Sequence, residues 1–285
     1  MTVLGQERMN RFWHVAVHLV PEDLVESTVH YLDPWYEMRA RLRALPLDNR
    51  VESADVEVLR SPSGQAGCER FQLDDLRGAI TYMGFGRRVN KATRNDPTGL
   101  QSSLLIECAK AMRQVWAWVG DRYGIDPAEH FDLIKRMLEG SCIYYRSPEA
   151  VRGVLKPWQL EQMKRWDMLF SRNKYCRAIR RDGADELLLG LSDSHHEMEL
   201  QLTVRSGAIH DTNGGIMRAP HEECFQAPAQ IGEVLRGAEI GEGAAAWEGR
   251  LAGAEGCAHL ADLAREAHSS LVYWHGARAL AQAEF

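Results

Sequence analysis

The strongest constraint on what this chain can fold into is that its sequence repeats itself. The run Leu-Asp-Pro-Trp-Tyr-Glu-Met (Leu32 to Met38) returns as Ser-Asp-Ser-His-His-Glu-Met (Ser192 to Met198), and further correspondences follow in the same order. Arg60-Ser61-Pro62 answers to Arg218-Ala219-Pro220, Cys68 to Cys224, and Leu76-Arg77-Gly78-Ala79 to Leu235-Arg236-Gly237-Ala238. Ser103-Leu104 answers to His259-Leu260, and Trp118 to Trp274. Self-similarity on this scale decides architecture before any local assignment. The expected fold is α+β: a tandem duplication forming an internal pseudo-dimer, each half a small antiparallel sheet followed by a long helix. The expected division is a first, degenerate repeat over 1–120, a helical connector over 121–170, and a second repeat over 171–285.

Local patterning agrees with strands followed by a helix. Glu186 to Gly190, Glu197 to Val204 and Ala208 to Met217 alternate in part, with Asp193-Ser194 and Arg205-Ser206-Gly207 as turn signals. Leu260, Leu263, Ala264, Ala267 and Leu271 recur at helical spacing after Gly256. Leu104, Leu105, Cys108, Ala111, Val115 and Trp118 form a similar stripe in the first copy. In the connector, Asp126-Pro127, Ser147-Pro148 and Lys156-Pro157 are places to start or stop a helix.

At 285 residues the chain is long enough for two domains, and 45% hydrophobic with 26% charged residues is the composition of a soluble globular protein. No stretch is apolar enough to cross a bilayer as a helix, and Met1 to Arg11 is too polar for a secretory signal, so a cytoplasmic setting is expected. There the six cysteines should be thiols or ligands rather than bridges. A net charge of -6 argues against nucleic acid as a partner, and the cluster Arg87, Arg88, Lys91 and Arg94 reads as a solvated loop.

The two copies differ where chemistry would be done. His196, Cys224, Cys257 and His259 stand in the second copy, whereas Tyr36, Gln101 and Ser103 replace three of them in the first. Imidazole and thiolate ligate zinc or iron, so His196, Cys224, Cys257 and His259 are the candidate metal ligands, with a divalent zinc or iron ion, or none, as the cofactor. Strand alternation would put His195 and His196 on opposite faces, and His196 shares its face with Met198. A thiol at the mouth of a helix has its pKa lowered, which makes Cys257 a candidate nucleophile with His259 and His196 as its partners. His196, Cys257 and His259 are the candidate catalytic residues. Asp193, matched by Asp33, reads as a turn residue that can also orient His196, and with Trp35 and Tyr36 it makes the candidate substrate-binding set. Taken singly, a buried cysteine is usually a small core residue and a buried histidine a satisfied polar one.

From about Arg172 to Trp274 the chain resembles a bacterial family of unknown function. Its pattern is an aspartate-bearing strand turn, His-Asp-Met, a cysteine near a proline, and Gly-Cys-Thr-His-Leu. These stand here as Asp193, His196-Glu197-Met198, Cys224 after Pro220, and Gly256-Cys257-Ala258-His259-Leu260, with Glu197 for Asp and Ala258 for Thr. The resemblance implies an association with bacterial catabolism of aromatic or acyl compounds. In the order of its ligands the half also resembles iron–sulfur cluster scaffold proteins, with His196, Cys224 and Cys257 in the ligand places.

The expected function is a small-molecule catabolic enzyme, a lyase such as a decarboxylase ahead of a hydrolase, acting on a small aromatic or carboxylated compound. The expected partners are that substrate and a second copy of the chain, with no nucleic acid and no membrane. The alternatives are a metal or iron–sulfur binding protein without turnover, and a non-catalytic interaction module.

Overall fold

A computed structural model of the chain describes residues 2–3, 6–62, 68–82, 84–125, 136, 138–146 and 168–283. Ten strands are present among the described residues: β1 (Thr2–Val3), β2 (Gln6–Val20), β3 (Leu24–Leu32), β4 (Glu37–Ala44), β5 (Val51–Arg60), β6 (Glu69–Gln72), β7 (Met168–Arg181), β8 (Ala184–Asp193), β9 (Glu197–Arg205) and β10 (Ala208–Arg218). Six α-helices are described: α1 (Phe85–Ala92), α2 (Leu100–Met112), α3 (Trp116–Arg122), α4 (Ile231–Leu235), α5 (Ala244–Leu251) and α6 (Ala258–Ala283).

The expectation of two small sheets, each with its own long helix, is corrected. The strands belong to one antiparallel sheet in the order β10-β9-β8-β7-β2-β3-β4-β5-β6, with β1 paired to β2 off that path. β2 is 15 residues long and lies between β7 and β3 in that order, so both of its edges are paired within one sheet and neither half closes a sheet of its own. The helices also differ from expectation. Among the described helices only α6 is long, at 26 residues, whereas the first-half stripe is divided between α2, a 3-10 turn at Arg113–Val115, and α3. The proline signals of the expected helical connector fall outside the described residues. Arg87, Arg88 and Lys91 stand exposed on α1 rather than in a loop, with Arg94 exposed just after it. Among the described residues, no helix is long and apolar enough to cross a membrane.

The chain divides into two compact units. Unit 1 is Met1–Arg11, Asp132–Val154 and Lys174–Phe285, and unit 2 is Phe12–Phe131 with Leu155–Asn173. In unit 2, β4 alternates buried Met38, Ala40, Leu42 and Ala44 with the outward Arg39, Arg41 and Arg43. The apolar row meets Leu104, Leu105, Cys108 and Ala111 of α2, while outward Arg41 makes a two-pronged pair with Asp55 at 3.1 and 3.0 Å. In unit 1, Leu187, Leu189 and Leu191 of β8 and Met198, Leu200, Leu202 and Val204 of β9 face the buried Leu260, Leu263, Ala264, Ala267 and Leu271 of α6. Each such leucine contributes about 1.5–3 kcal/mol of burial, which is what holds α6 to the sheet.

Candidate metal centre

The turn between β8 and β9 is built around one carboxylate. Asp193 Oδ1 accepts from the amides of His195 at 2.8 Å and His196 at 2.7 Å, while the Asp193 amide donates to the His196 carbonyl at 2.8 Å. Arg218 reaches over from β10 and donates to the carbonyls of Asp193 at 2.8 Å and His196 at 3.2 Å. The Asp33 turn of unit 2 makes the same set of bonds, with Trp35 and Tyr36 amides on Asp33 Oδ1 and Arg60 on the carbonyls of Asp33 and Tyr36. A short polar side chain that ties its own following amides is the reason aspartate stands at both turns.

His196 therefore sits in a turn and not on a strand. Strand alternation does not govern the two histidines, whose rings lie 6.2 Å apart at 84°. His196 is buried, and its Nδ1 lies 3.1 Å from Asp193 Oδ1. An ionised carboxylate only accepts, so with Asp193 ionised this contact calls for a proton on Nδ1, and the neutral imidazole then has its lone pair on Nε2.

His259 arrives from the start of α6. Its ring stacks on that of His196 with centroids 3.8 Å apart and planes 33° apart. One donor atom each from Asp193, His196 and His259 lie within 4.8 Å of one another, and among the described residues this is the group of three suited to an ion. Asp193 and His196 are buried and His259 is half-buried.

Cys257 immediately precedes α6 and caps it, its sulfur taking the amides of Leu260 and His259. Those donors favour thiolate, but burial weighs more and pushes the Cys257 thiol up, contrary to the sequence expectation of a lowered pKa. Cys224 lies in the 3-10 segment Glu222–Gln230 and is pushed up to about 11, first by burial and then by nearby Cys257 and Cys142. Burial of a thiol without a cation beside it disfavours the charged form. Of the residues expected at the site, the structure thus groups His196, His259 and Asp193. Cys257 is the cap of the helix that delivers His259, and Cys224 stands among thiols. Trp35 and Tyr36 belong to unit 2.

Sequence reading gave Asp193 a turn role, an orienting role toward His196 and a place in the substrate-binding set, but did not count it among the candidate ion donors beside the two imidazoles. The signal available was its spacing of three from His196. It also missed Cys142, Tyr144 and Tyr145, whose 3-10 segment is tied to the site by Ile143 donating to the Gly256 carbonyl at 2.8 Å. Tyr144 stacks near His221 at 5.0 Å, and burial pushes both tyrosine phenols up, that of Tyr145 to about 12.

Gly256 has a packing reason of its own. A Cβ there would lie 2.0 Å from the carbonyl oxygen of Leu251, which Cys257 needs as the acceptor for its amide at 2.8 Å. The Gly256→Ala variant should lose about 1–3 kcal/mol in urea denaturation, because the obstacle is backbone and the 251–257 loop must shift. A variant as stable as the parent would mean that this loop relaxes freely.

Residues 180–272, which contain Asp193, His196, Cys224, Cys257 and His259, match a family described as a protein of unknown function (DUF2889). No curated protein and no solved structure matches the chain.

Proposed function

We propose that the chain is a small-molecule lyase, a decarboxylase of a small aromatic or carboxylated compound, with a divalent zinc or iron ion held by Asp193, His196 and His259. The supporting observation is the convergence of one carboxylate and two imidazoles within 4.8 Å in a largely buried setting. Two histidines and one carboxylate are a donor set for non-haem iron and for catalytic zinc. An ion there would polarise a substrate oxygen and take up the negative charge that develops as carbon dioxide leaves. The chain supplies the positioning: the Asp193 turn and the start of α6 are fixed by backbone hydrogen bonds, so the donors need little reorganisation.

Metal analysis and zinc titration calorimetry of the freshly purified full chain test this reading. The expected result is about one zinc or iron per chain, with affinity at least ~100-fold lower in folded His196→Ala and His259→Ala variants, as removal of a direct ligand should exceed the 10–100-fold cost of losing an outer partner. A parent chain that takes up neither ion rejects the centre. Release of carbon dioxide from pooled aromatic acids tests the reaction.

The 3.1 Å contact of His196 with Asp193 favours a second reading, in which no ion is bound and His196 transfers a proton through Nε2 while Asp193 orients the ring. Activity from metal-free protein, lost in His196→Ala, distinguishes it. The likeness to iron–sulfur scaffolds is a weaker reading, since it calls for thiolates at Cys224 and Cys257 and burial pushes both thiols up.

A further inference from the structure

Three thiols stand near the start of α6, each from a different part of the chain. Cys257 caps the helix, Cys224 belongs to the 3-10 segment Glu222–Gln230, and Cys142 immediately precedes the 3-10 turn Ile143–Tyr145. Cys224 and Cys257 are buried, whereas Cys142 is half-buried and reaches solvent.

Backbone bonds place Cys142 beside Cys257. The Ile143 amide donates to the Gly256 carbonyl at 2.8 Å, and the Ser141 carbonyl accepts from the Gly253 amide at 3.4 Å, so Cys142 is held between two bonds to the loop that ends in Cys257. In a trans peptide the Cα before a donating amide and the Cα after an accepting carbonyl both lie on the side of the hydrogen bond. Bond lengths then keep the Cα atoms of Cys142 and Cys257 within roughly 6 Å of each other when that bond is near linear. A disulfide needs a Cα separation of about 4.4–6.8 Å. Cys142 also acts electrostatically on the Cys257 thiol, as a close neighbour does. By contrast, the Cys224 amide bonds within its own segment, to the His221 carbonyl at 3.3 Å.

We propose that Cys142 and Cys257 are a peroxide-sensitive pair that closes to a disulfide and so withdraws the cap from the first turn of α6, where His259 stands. Hydrogen peroxide is the oxidant. The accessible Cys142 sulfur attacks one peroxide oxygen, the O–O bond breaks, and the products are a sulfenic acid and one water. The Cys257 sulfur then attacks the sulfur of that acid; the S–S bond forms as the S–O bond breaks, and the hydroxyl leaves as water with the Cys257 proton. Two thiols give up two electrons and two protons to one peroxide, yielding one disulfide and two waters. In the reduced chain the Cys257 sulfur takes the amides of Leu260 and His259, and once bonded to Cys142 it no longer serves them.

The full chain is treated with a modest excess of hydrogen peroxide, its remaining thiols are alkylated, and its peptides are mapped by mass spectrometry without reduction. The expected product is a peptide pair joined through Cys142 and Cys257 that dithiothreitol separates. Hydrogen exchange at the His259 and Leu260 amides should be about fivefold faster in the oxidised chain, the size of effect that a lost cap produces. Cys257→Ser keeps a capping oxygen and should show neither the link nor the change in exchange on oxidation. Oxidised parent protein in which Cys142 is joined to Cys224, or carries a sulfinic acid while Cys257 stays a thiol, overturns the pair, and neither result depends on a variant folding. A Cys142 to Cys257 link with unchanged exchange at both amides overturns the uncapping. Neither readout uses zinc, so a chain that takes up no metal rejects the centre alone, and these two measurements still decide the pair.

Discussion

Replacing Glu107 by alanine should lower the stability of the chain by about 3–5 kcal/mol, the usual result of removing one partner from a buried ion pair. Glu107 is on the buried side of α2, and its Oε1 lies 3.2 Å from Nη1 of Arg172 on β7. Their side chains are 5% and 3% exposed, so water cannot replace the lost carboxylate. Arginine does not shed its proton at any working pH, so the variant removes a carboxylate from beside a buried guanidinium whose carbon lies 5.3 Å from the centre of the Phe170 ring. Glu107→Gln should fall between, keeping an acceptor without the charge. The double variant Glu107→Leu with Arg172→Met should recover most of the loss, since it removes both desolvated charges and keeps the volume. Urea denaturation with linear extrapolation provides the measurement, and a single-variant loss below about 1 kcal/mol would place the pair in contact with water. The contrast is Arg236 with Asp211, 3.5 Å apart and about two-thirds exposed, where Arg236→Ala should change stability by less than about 0.5 kcal/mol.

The parts of this fold that were legible in the sequence are those with local causes. The strands of the second half were expected over 186–190, 197–204 and 208–217, and they stand at Ala184–Asp193, Glu197–Arg205 and Ala208–Arg218. Alternation marks such strands, and Ser206-Gly207, at φ of 50° and 83°, marks the tight turn between two of them. The apolar stripe from Leu260 to Leu271 likewise located α6, which the Cys257 cap starts at Ala258. What was not legible depends on segments meeting across long sequence separations. The adjacency of β2 and β7 brings together segments far apart in the sequence and has no local mark, so the strand order of the sheet could not be seen. The ion pair of Lys174 with Asp262 joins residues 88 positions apart, and nothing near either one announces the other. The thiols show the same limit from a second direction. Sequence position predicted a low pKa for Cys257 from the helix mouth, but the depth of burial, a property of the whole packed unit, sets the opposite sign.

The two aspartate turns allow the structural and chemical roles of Asp193 to be separated. Asp193→Ala should cost about 2–5 kcal/mol, because the amides of His195 and His196 and the His196 ring all lose the acceptor they share, and a buried donor left without one costs about 1–3 kcal/mol. Asp193→Asn keeps an oxygen for those amides and should recover all but about 1 kcal/mol. It removes the negative charge beside the imidazoles, however, and with it the third donor of the proposed centre, so zinc affinity should fall by at least ~100-fold, beyond the 10–100-fold seen when only an outer partner is lost. Asp33 is the reference. Its Oδ1 takes the amides of Trp35 and Tyr36 at 2.7 and 2.6 Å, and its Oδ2 takes the hydroxyl of Tyr31 at 2.5 Å. The residue before the Asp193 turn that corresponds to Tyr31 is Leu191, which pairs with Met198 as Tyr31 pairs with Met38 and has no hydroxyl to give. Asp33→Asn should therefore weaken the fold more than Asp193→Asn, by losing charge under two amides and a phenol, while leaving zinc affinity at the parental value. If Asp193→Asn and Asp33→Asn instead behave alike in zinc titration, Asp193 serves its turn and nothing more, and the centre must be sought in the two imidazoles alone.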